Sequence, residues 1–111
     1  MAGKFELKKS KSGQFMFNLK AGNNQIILTS ELYRQKTSAK NGIESVKKHA
    51  GNDANYERKT SSKGEPYFVL KATNKQVIGK SEMYSSTSGM ERGIASVKAN
   101  ASEATVVDLI K

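Results

Sequence analysis

The chain has 111 residues, of which 36% are hydrophobic and 26% charged, and its formal net charge is +9. This balance is typical of a globular chain rather than a disordered one. The absence of cysteine excludes disulfides and thiolate metal sites, and a single histidine gives no basis for a metal or another cofactor. Because no stretch approaches the roughly 18 apolar residues of a membrane span, we expect no membrane partner and a cytoplasmic location.

The sequence repeats itself at a constant offset of 51 residues. The clearest copies are Gly42-Ile43-Glu44-Ser45-Val46-Lys47 and Gly93-Ile94-Ala95-Ser96-Val97-Lys98. A unit of about fifty residues buries too little surface to be more than marginally stable alone. We therefore expect repeats at approximately 4–54 and 55–111 to share one core, so that residues 1–111 form a single domain. Because duplication supplies in one chain what dimerisation would supply to a single unit, we also expect a monomer.

Three segments at the start of the first repeat alternate apolar and polar residues. Lys4 to Lys8, Gln14 to Lys20 and Gln25 to Leu28 are therefore predicted to be the strands of an antiparallel meander. Gly13 and its repeat Gly64 lie in the first turn of each meander, where a positive φ is expected.

A helix from about Ser38 to His49 is predicted by apolar residues at i, i+4, i+7 and i+11. Its repeat runs from about Gly89 to Asn100. Thr37 is the predicted N-cap of the first helix, and Ser88 with Glu91 forms a predicted capping box at the second.

Each predicted helix contains an interior glycine, Gly42 or Gly93. A glycine inside a helix costs roughly 1 kcal/mol relative to alanine. Two glycines at the same repeat position therefore predict a close approach of the helix backbone to the sheet, with a hinge as the functional alternative.

The second repeat continues with three more predicted strands and a β-branched final strand, at 55–60, 65–70, 76–79 and 105–110. It departs from the first repeat where Phe15 becomes Pro66 and Leu28 becomes Gly79. We expect its half of the core to be less filled at those positions.

The repeated motifs are G-x-[FY]-x-F-x-L-K-A, S-E-x-Y and N/R-G-I-x-S-V-K, which begin at Gly13, Ser30 and Asn41 in the first copy. In these motifs the chain resembles the YegP-like family of small prokaryotic proteins. The resemblance implies β-β-β-α-β units that form one sheet and exchange their C-terminal strands, and it implies no particular activity. We expect an α+β fold with one antiparallel sheet, two helices on one face and a pseudo-twofold axis between the halves.

The S-E-x-Y segments are the best candidates for a specific binding site, because repeated polar residues in a connection are often functional. A structural role is the alternative, in which serine or glutamate satisfies backbone donors and the tyrosine ring packs. The candidate binding residues are Ser30, Glu31, Tyr33, Ser81, Glu82 and Tyr84.

Basic residues are concentrated in the first repeat, since residues 1–51 carry a net charge of +7 and residues 52–111 carry +2. Such a surface favours an anionic partner, nucleic acid above all, although solvated surface lysines are the alternative. Tyr67 and Met16 are the only residues worth naming as a stacking platform on the outer sheet face, and because Met16 is not aromatic, stacking of single-stranded bases is disfavoured. We therefore expect weak, sequence-independent contact to phosphates, carried mostly by the first repeat. The candidate anion-contacting residues are Lys8, Lys9, Lys11, Lys20, Lys47, Lys48, Lys71 and Lys98.

No nucleophile elbow, glycine-rich phosphate loop or cluster with metal-ligand spacing is present. We therefore expect no catalytic residues and a non-enzymatic binding or interaction module. The alternative function is a small-molecule binder or an enzyme that uses the S-E-x-Y segments.

Overall fold

The computed structural model describes residues 3–110. Each repeat contributes a three-stranded meander followed by a helix, as predicted, and both turn glycines have positive φ, 83° at Gly13 and 82° at Gly64. In chain order the elements are β1 Lys4–Lys9, β2 Phe15–Lys20, β3 Ile26–Thr29, α1 Lys36–His49, a 3-10 helix Asp53–Asn55, β4 Tyr56–Thr60, β5 Pro66–Lys71, β6 Val77–Lys80, α2 Thr87–Asn100 and β7 Thr105–Asp108.

The seven strands form one sheet in the order β4-β5-β6-β3-β2-β1-β7. The repeats meet at its centre, where β3 and β6 pair through Thr29 and Lys80. The order of the two meanders is mirrored about this junction, as a pseudo-twofold axis requires. The sheet is mixed rather than wholly antiparallel, because β7 runs parallel to β1.

The strand that follows each helix pairs in the other half of the sheet, although the two pairings differ. Strand β7 leaves the second repeat and pairs with β1 of the first, from Lys4↔Thr105 to Leu7↔Asp108. Strand β4 is the opposite edge of the sheet and has no parallel partner in the described part of the chain. The reason is connectivity: the residues that match β7 by the repeat offset, 54–57, are already the entry to β4. Strand β4 therefore serves both as the strand that follows α1 and as the first strand of the second meander, where it pairs with β5, and the predicted exchange of C-terminal strands is confirmed.

Both helices begin two residues earlier than predicted. The N-cap of α1 is Gln35, whose side chain makes no capping bond. The N-cap of α2 is Ser86, whose hydroxyl accepts a hydrogen bond from the Gly89 N–H at 3.0 Å. The predicted caps at Thr37 and Ser88 are wrong, because both residues already lie in the first helical turn.

The two helices cover the same face of the sheet and share one core with it. Aromatic contacts repeat within this core, since Phe17 meets Phe5 edge to face at 5.8 Å and Phe68 meets Tyr56 in the same way at 5.6 Å. The largest fully buried side chains come from both repeats and include Phe5, Leu7, Phe17, Leu19, Leu28, Ile43, Val46, Phe68, Leu70, Ile94 and Val97.

The core is filled at Gly79, contrary to expectation. A Cβ atom on Gly79 would lie 2.6 Å from Cδ2 of Leu28, and Leu28 is fully buried. The Leu28 side chain therefore crosses the junction between the repeats. It fills the space that a leucine at position 79 would occupy. The other departure, Pro66, weakens a local pairing, because Phe15 exchanges two backbone hydrogen bonds with Tyr33 whereas Pro66 only accepts one from Tyr84.

Candidate functional site

The serine of each S-E-x-Y segment completes the pairing of two strands. Ser30 Oγ accepts a hydrogen bond from the Phe17 N–H at 2.9 Å and donates one to the Glu31 carbonyl at 2.7 Å. In the second repeat Ser81 Oγ makes the same bonds to Phe68 and Glu82, at 3.0 and 2.8 Å. Both serines are buried. Their hydroxyls are thus engaged with the backbone, which favours a structural role for this position.

Replacing Ser30 by alanine is expected to lower the free energy of unfolding by about 1–3 kcal/mol, the cost of leaving the buried Phe17 N–H without an acceptor. The same change at Ser81 should have a similar effect. Urea unfolding measures both changes. The exposed Ser12→Ala is the matched control and should stay within about 0.5 kcal/mol of the parent chain. Unchanged stability of S30A and S81A would contradict the structural role.

The tyrosine of each segment packs between a core phenylalanine and the interior glycine of the helix. The Tyr33 ring is stacked on Phe17, with 6.4 Å between ring centroids and 10° between ring planes. A Cβ on Gly42 would lie 2.6 Å from the Tyr33 hydroxyl oxygen. The close approach predicted at Gly42 is therefore present. The group that leaves no room for a side chain at this position is the Tyr33 hydroxyl. Tyr84, Phe68 and Gly93 repeat the arrangement.

Burial, reinforced by the neighbouring glutamate, raises the pKa of the Tyr33 and Tyr84 hydroxyls above its usual value. Both hydroxyls therefore remain protonated at neutral pH and are available as donors. No acceptor for either is found among residues 3–110, whereas the Tyr56 hydroxyl donates to the Ala50 carbonyl at 2.7 Å.

Each S-E-x-Y segment also lines a cleft between the repeats. The first cleft, of about 670 Å³, lies between the Glu31–Tyr33 segment, the Gly42 and Ser45 face of α1, and the β5–β6 hairpin of the second repeat, from which it takes Asn74 and Gln76. Glu31 is exposed at this cleft. The site thus depends on both repeats.

A second cleft is built from the equivalent residues. It consists of two adjoining pockets of about 260 and 470 Å³ that share the lining residues Gln25, Ile27 and Tyr84. Gly93 and Ser96 line it from α2, and Glu82 and Met83 line it from the connection. The hairpin residues were not among the predicted candidates, although the repetition of Asn23 as Asn74 and of Gln25 as Gln76 was a signal in the sequence.

The predicted anion-contacting lysines do not share one surface. Lys8, Lys20 and Lys71 lie on the sheet face away from the helices, because their strand neighbours Leu7, Leu19 and Leu70 are buried in the core. The remaining five lie elsewhere: Lys9 over the Phe15 ring at the end of β1, Lys11 in the following turn, Lys47 and Lys48 on α1, and Lys98 on α2, where it pairs with Asp53 at 2.8 Å.

The sheet face away from the helices is called the open face below. Its charged residues are six lysines and two glutamates, Lys4, Glu6, Lys8, Lys20, Glu57, Lys59, Lys71 and Lys80. Each repeat supplies three of the lysines. The sequence analysis missed Lys4, Lys59 and Lys80, although alternation along the strands would have indicated the first two.

The two glutamates of the open face neutralise part of its charge. Glu6 pairs with Lys20 at 3.0 Å and Lys4 at 3.6 Å, and Glu57 pairs with Lys71. The hydrogen bond from Lys20 lowers the pKa of Glu6, and that from Lys71 lowers the pKa of Glu57. Both therefore stay ionised at neutral pH.

Three lysines of the open face, Lys8, Lys59 and Lys80, form no salt bridge with any residue of the range 3–110. Lys80 instead lies over the Tyr67 ring, 5.1 Å from its centroid. Within the described residues there is no cluster of three potential metal ligands, and none of the helices is long and apolar enough to cross a bilayer.

Comparison with known proteins agrees with this architecture. Solution structures of YegP from Escherichia coli and of a UPF0339 protein from Shewanella oneidensis superpose with TM-scores of 0.94 and 0.93. The chain is 55% and 50% identical to them, and each match covers 99% of this chain and 95% or 93% of theirs.

Among curated relatives, the UPF0339 protein MS1092 of Mannheimia succiniciproducens is 53% identical over 98% of this chain and 96% of its own. The E. coli K12 YegP protein is 56% identical over 97% and 98%. The model of the family described as "Domain of unknown function (DUF1508)" matches twice, at residues 10–57 and 61–108, one match in each repeat. The chain therefore belongs to the DUF1508 family, in its tandem-repeat form.

Proposed function

We propose that the protein is a non-enzymatic binding module whose open face contacts the phosphates of nucleic acid. The observation that carries the proposal is the one-sided packing of the helices, which leaves the opposite sheet face exposed with six lysines against two glutamates. Phosphate contacts by lysine supply affinity without sequence information. A binding role, rather than catalysis by the S-E-x-Y serines, is supported by the engagement of both serine hydroxyls with the backbone.

The polar character of the open face favours contact with a backbone rather than with bases. Two of its three lysines without a salt bridge among residues 3–110, Lys8 and Lys59, are repeat equivalents on β1 and β4 and lie on opposite sides of the pseudo-twofold axis. Tyr67 is a single aromatic platform, and stacking of successive bases needs several. We therefore propose weak binding that is indifferent to sequence and steeply dependent on salt.

Reversing Lys8 and Lys59 to glutamate is expected to weaken binding of a fluorescein-labelled 20-nucleotide single strand roughly tenfold or more at about 50 mM salt. The slope of log affinity against log salt should also fall by roughly 1 for each lost contact. Fluorescence anisotropy measures both quantities, with an oligothymidine and a mixed sequence giving equal losses.

The matched control reverses Lys40 and Lys48, two exposed lysines on α1 that carry the same charge change away from the open face. It should retain most of the affinity, losing only the long-range part of the attraction. Equal losses in the two variants, or no anisotropy change with the parent chain at this salt concentration, would overturn the proposal.

A further inference from the structure

The two clefts at the repeat junction are acidic, although the protein as a whole is strongly basic. The first cleft is lined by one carboxylate, that of Glu31, and by no lysine or arginine. The second is lined by the carboxylates of Glu65 and Glu82 and by one cation, Arg92. Each cleft thus has a net charge of −1 in a chain of +9. A cleft of this charge disfavours anions and favours a cationic ligand.

Each cleft also has an exposed apolar side chain at its rim. Leu32 is 50% exposed and Met83 is 39% exposed, and the two are repeat equivalents that directly follow the cleft glutamates. Val77 and Ile78 extend the apolar wall of the first cleft, as Ile26 and Ile27 extend that of the second. A large apolar residue kept exposed at the same place in both repeats indicates a contact surface.

The remaining groups of the first cleft can orient a polar ligand. The Tyr33 hydroxyl is protonated and lies beside Gly42, and both Tyr33 and Gln76 line the cleft. A few convergent polar groups beside an apolar wall are typical of a small-molecule site. Because the walls come from different repeats, the site exists only in the assembled fold.

We propose that each cleft binds a small organic cation with an apolar arm, such as an alkylamine. Its ammonium group lies against the carboxylate of Glu31 or Glu82, and its hydrocarbon arm covers Leu32 or Met83. This site lies on the helix side of the sheet, so it is separate from the open face and does not depend on the nucleic-acid proposal.

The test is a titration of the isotope-labelled full chain with n-hexylamine at pH 7, followed by proton–nitrogen correlation spectra. We expect saturable shifts of the amide signals of Gly42, Ser45 and Asn74 and of their repeat equivalents. Hexanoate should leave these signals unchanged, and n-hexanol should bind about threefold more weakly, the factor of one exposed ion pair.

Three variants test the contribution of charge to binding in the clefts. The double variant E31Q/E82Q should bind hexylamine about threefold more weakly at both sites, whereas E103Q, an exposed glutamate outside the clefts, should bind it like the parent chain. Replacing Arg92 by asparagine, the residue at the equivalent position 41, should strengthen binding at the second cleft alone.

Three outcomes would overturn the proposal: no saturable shifts with hexylamine, shifts that map to the open face, or equal binding of hexylamine by the parent chain and E31Q/E82Q. Loss of oligonucleotide binding in K8E/K59E with intact hexylamine binding would separate the two proposals.

Discussion

Cutting the chain between the repeats at Gly51 is expected to leave neither fragment folded. Strand β7 belongs to the second fragment, but its partner β1 lies in the first. Helix α1 packs on β5 and β6 as well as on its own strands, and α2 packs on β3. His49 Nε2 lies 3.0 Å from Thr73 Oγ1 across the same junction. Each fragment would therefore expose apolar surface that only the other covers.

The fragments 1–51 and 52–111 should show poorly dispersed proton–nitrogen spectra and no cooperative thermal transition when studied alone. Their mixture is the informative control, because the missing surfaces are supplied in trans and native-like signals should return. A native-like spectrum of 1–51 alone would contradict the shared core, and with it the proposal that residues 1–111 form a single domain.

Exchanging Leu28 and Gly79 is expected to restore much of the stability that each single change removes. Leu28→Ala alone should cost about 2–5 kcal/mol through the cavity that it leaves. Gly79→Leu alone should cost roughly 1–3 kcal/mol or more, because the new side chain would overlap that of Leu28. In the double variant L28G/G79L, one leucine again fills the space beside the pseudo-twofold axis.

The measurement is urea unfolding of the single and double variants, which gives the coupling energy of the two positions. Leu28→Gly is included so that the cycle is complete, and the exposed Leu32→Ala is the control, expected within about 0.5 kcal/mol of the parent chain. Additive costs would show that the two positions do not share one space, contrary to the contact between them.

The S-E-x-Y segments illustrate what a repeated motif means in a duplicated chain. Duplication retains residues that the fold needs as readily as residues that a ligand needs. Here Ser30 completes a strand pairing and Tyr33 packs against Phe17 and Gly42, so the structure accounts for most of the motif. The Glu31 carboxylate makes no hydrogen bond or salt bridge among residues 3–110 and lies at a cleft, which is why the proposed cation site depends on it.

The repeat, the two meanders and the two helices could be predicted from the sequence alone. These features follow from local periodicity, because alternation along a strand and the i, i+4 spacing along a helix do not depend on distant contacts. The helix starts were predicted two residues too late, since several polar residues lie near the start of each helix and, of the two N-caps, only Ser86 makes a side-chain capping bond.

Which strands pair across the two repeats, and which clefts the repeats form together, is seen only in the folded chain. Strand β7 pairs in parallel with β1 because connectivity places it at that edge, and Leu28 fills the space at Gly79 because the junction brings β3 beside β6. The open face and both clefts likewise combine residues far apart in sequence. The sequence pattern of one segment does not show which other segments lie beside it in the folded chain. The lysines that recur in both repeats therefore lie on opposite faces of the sheet.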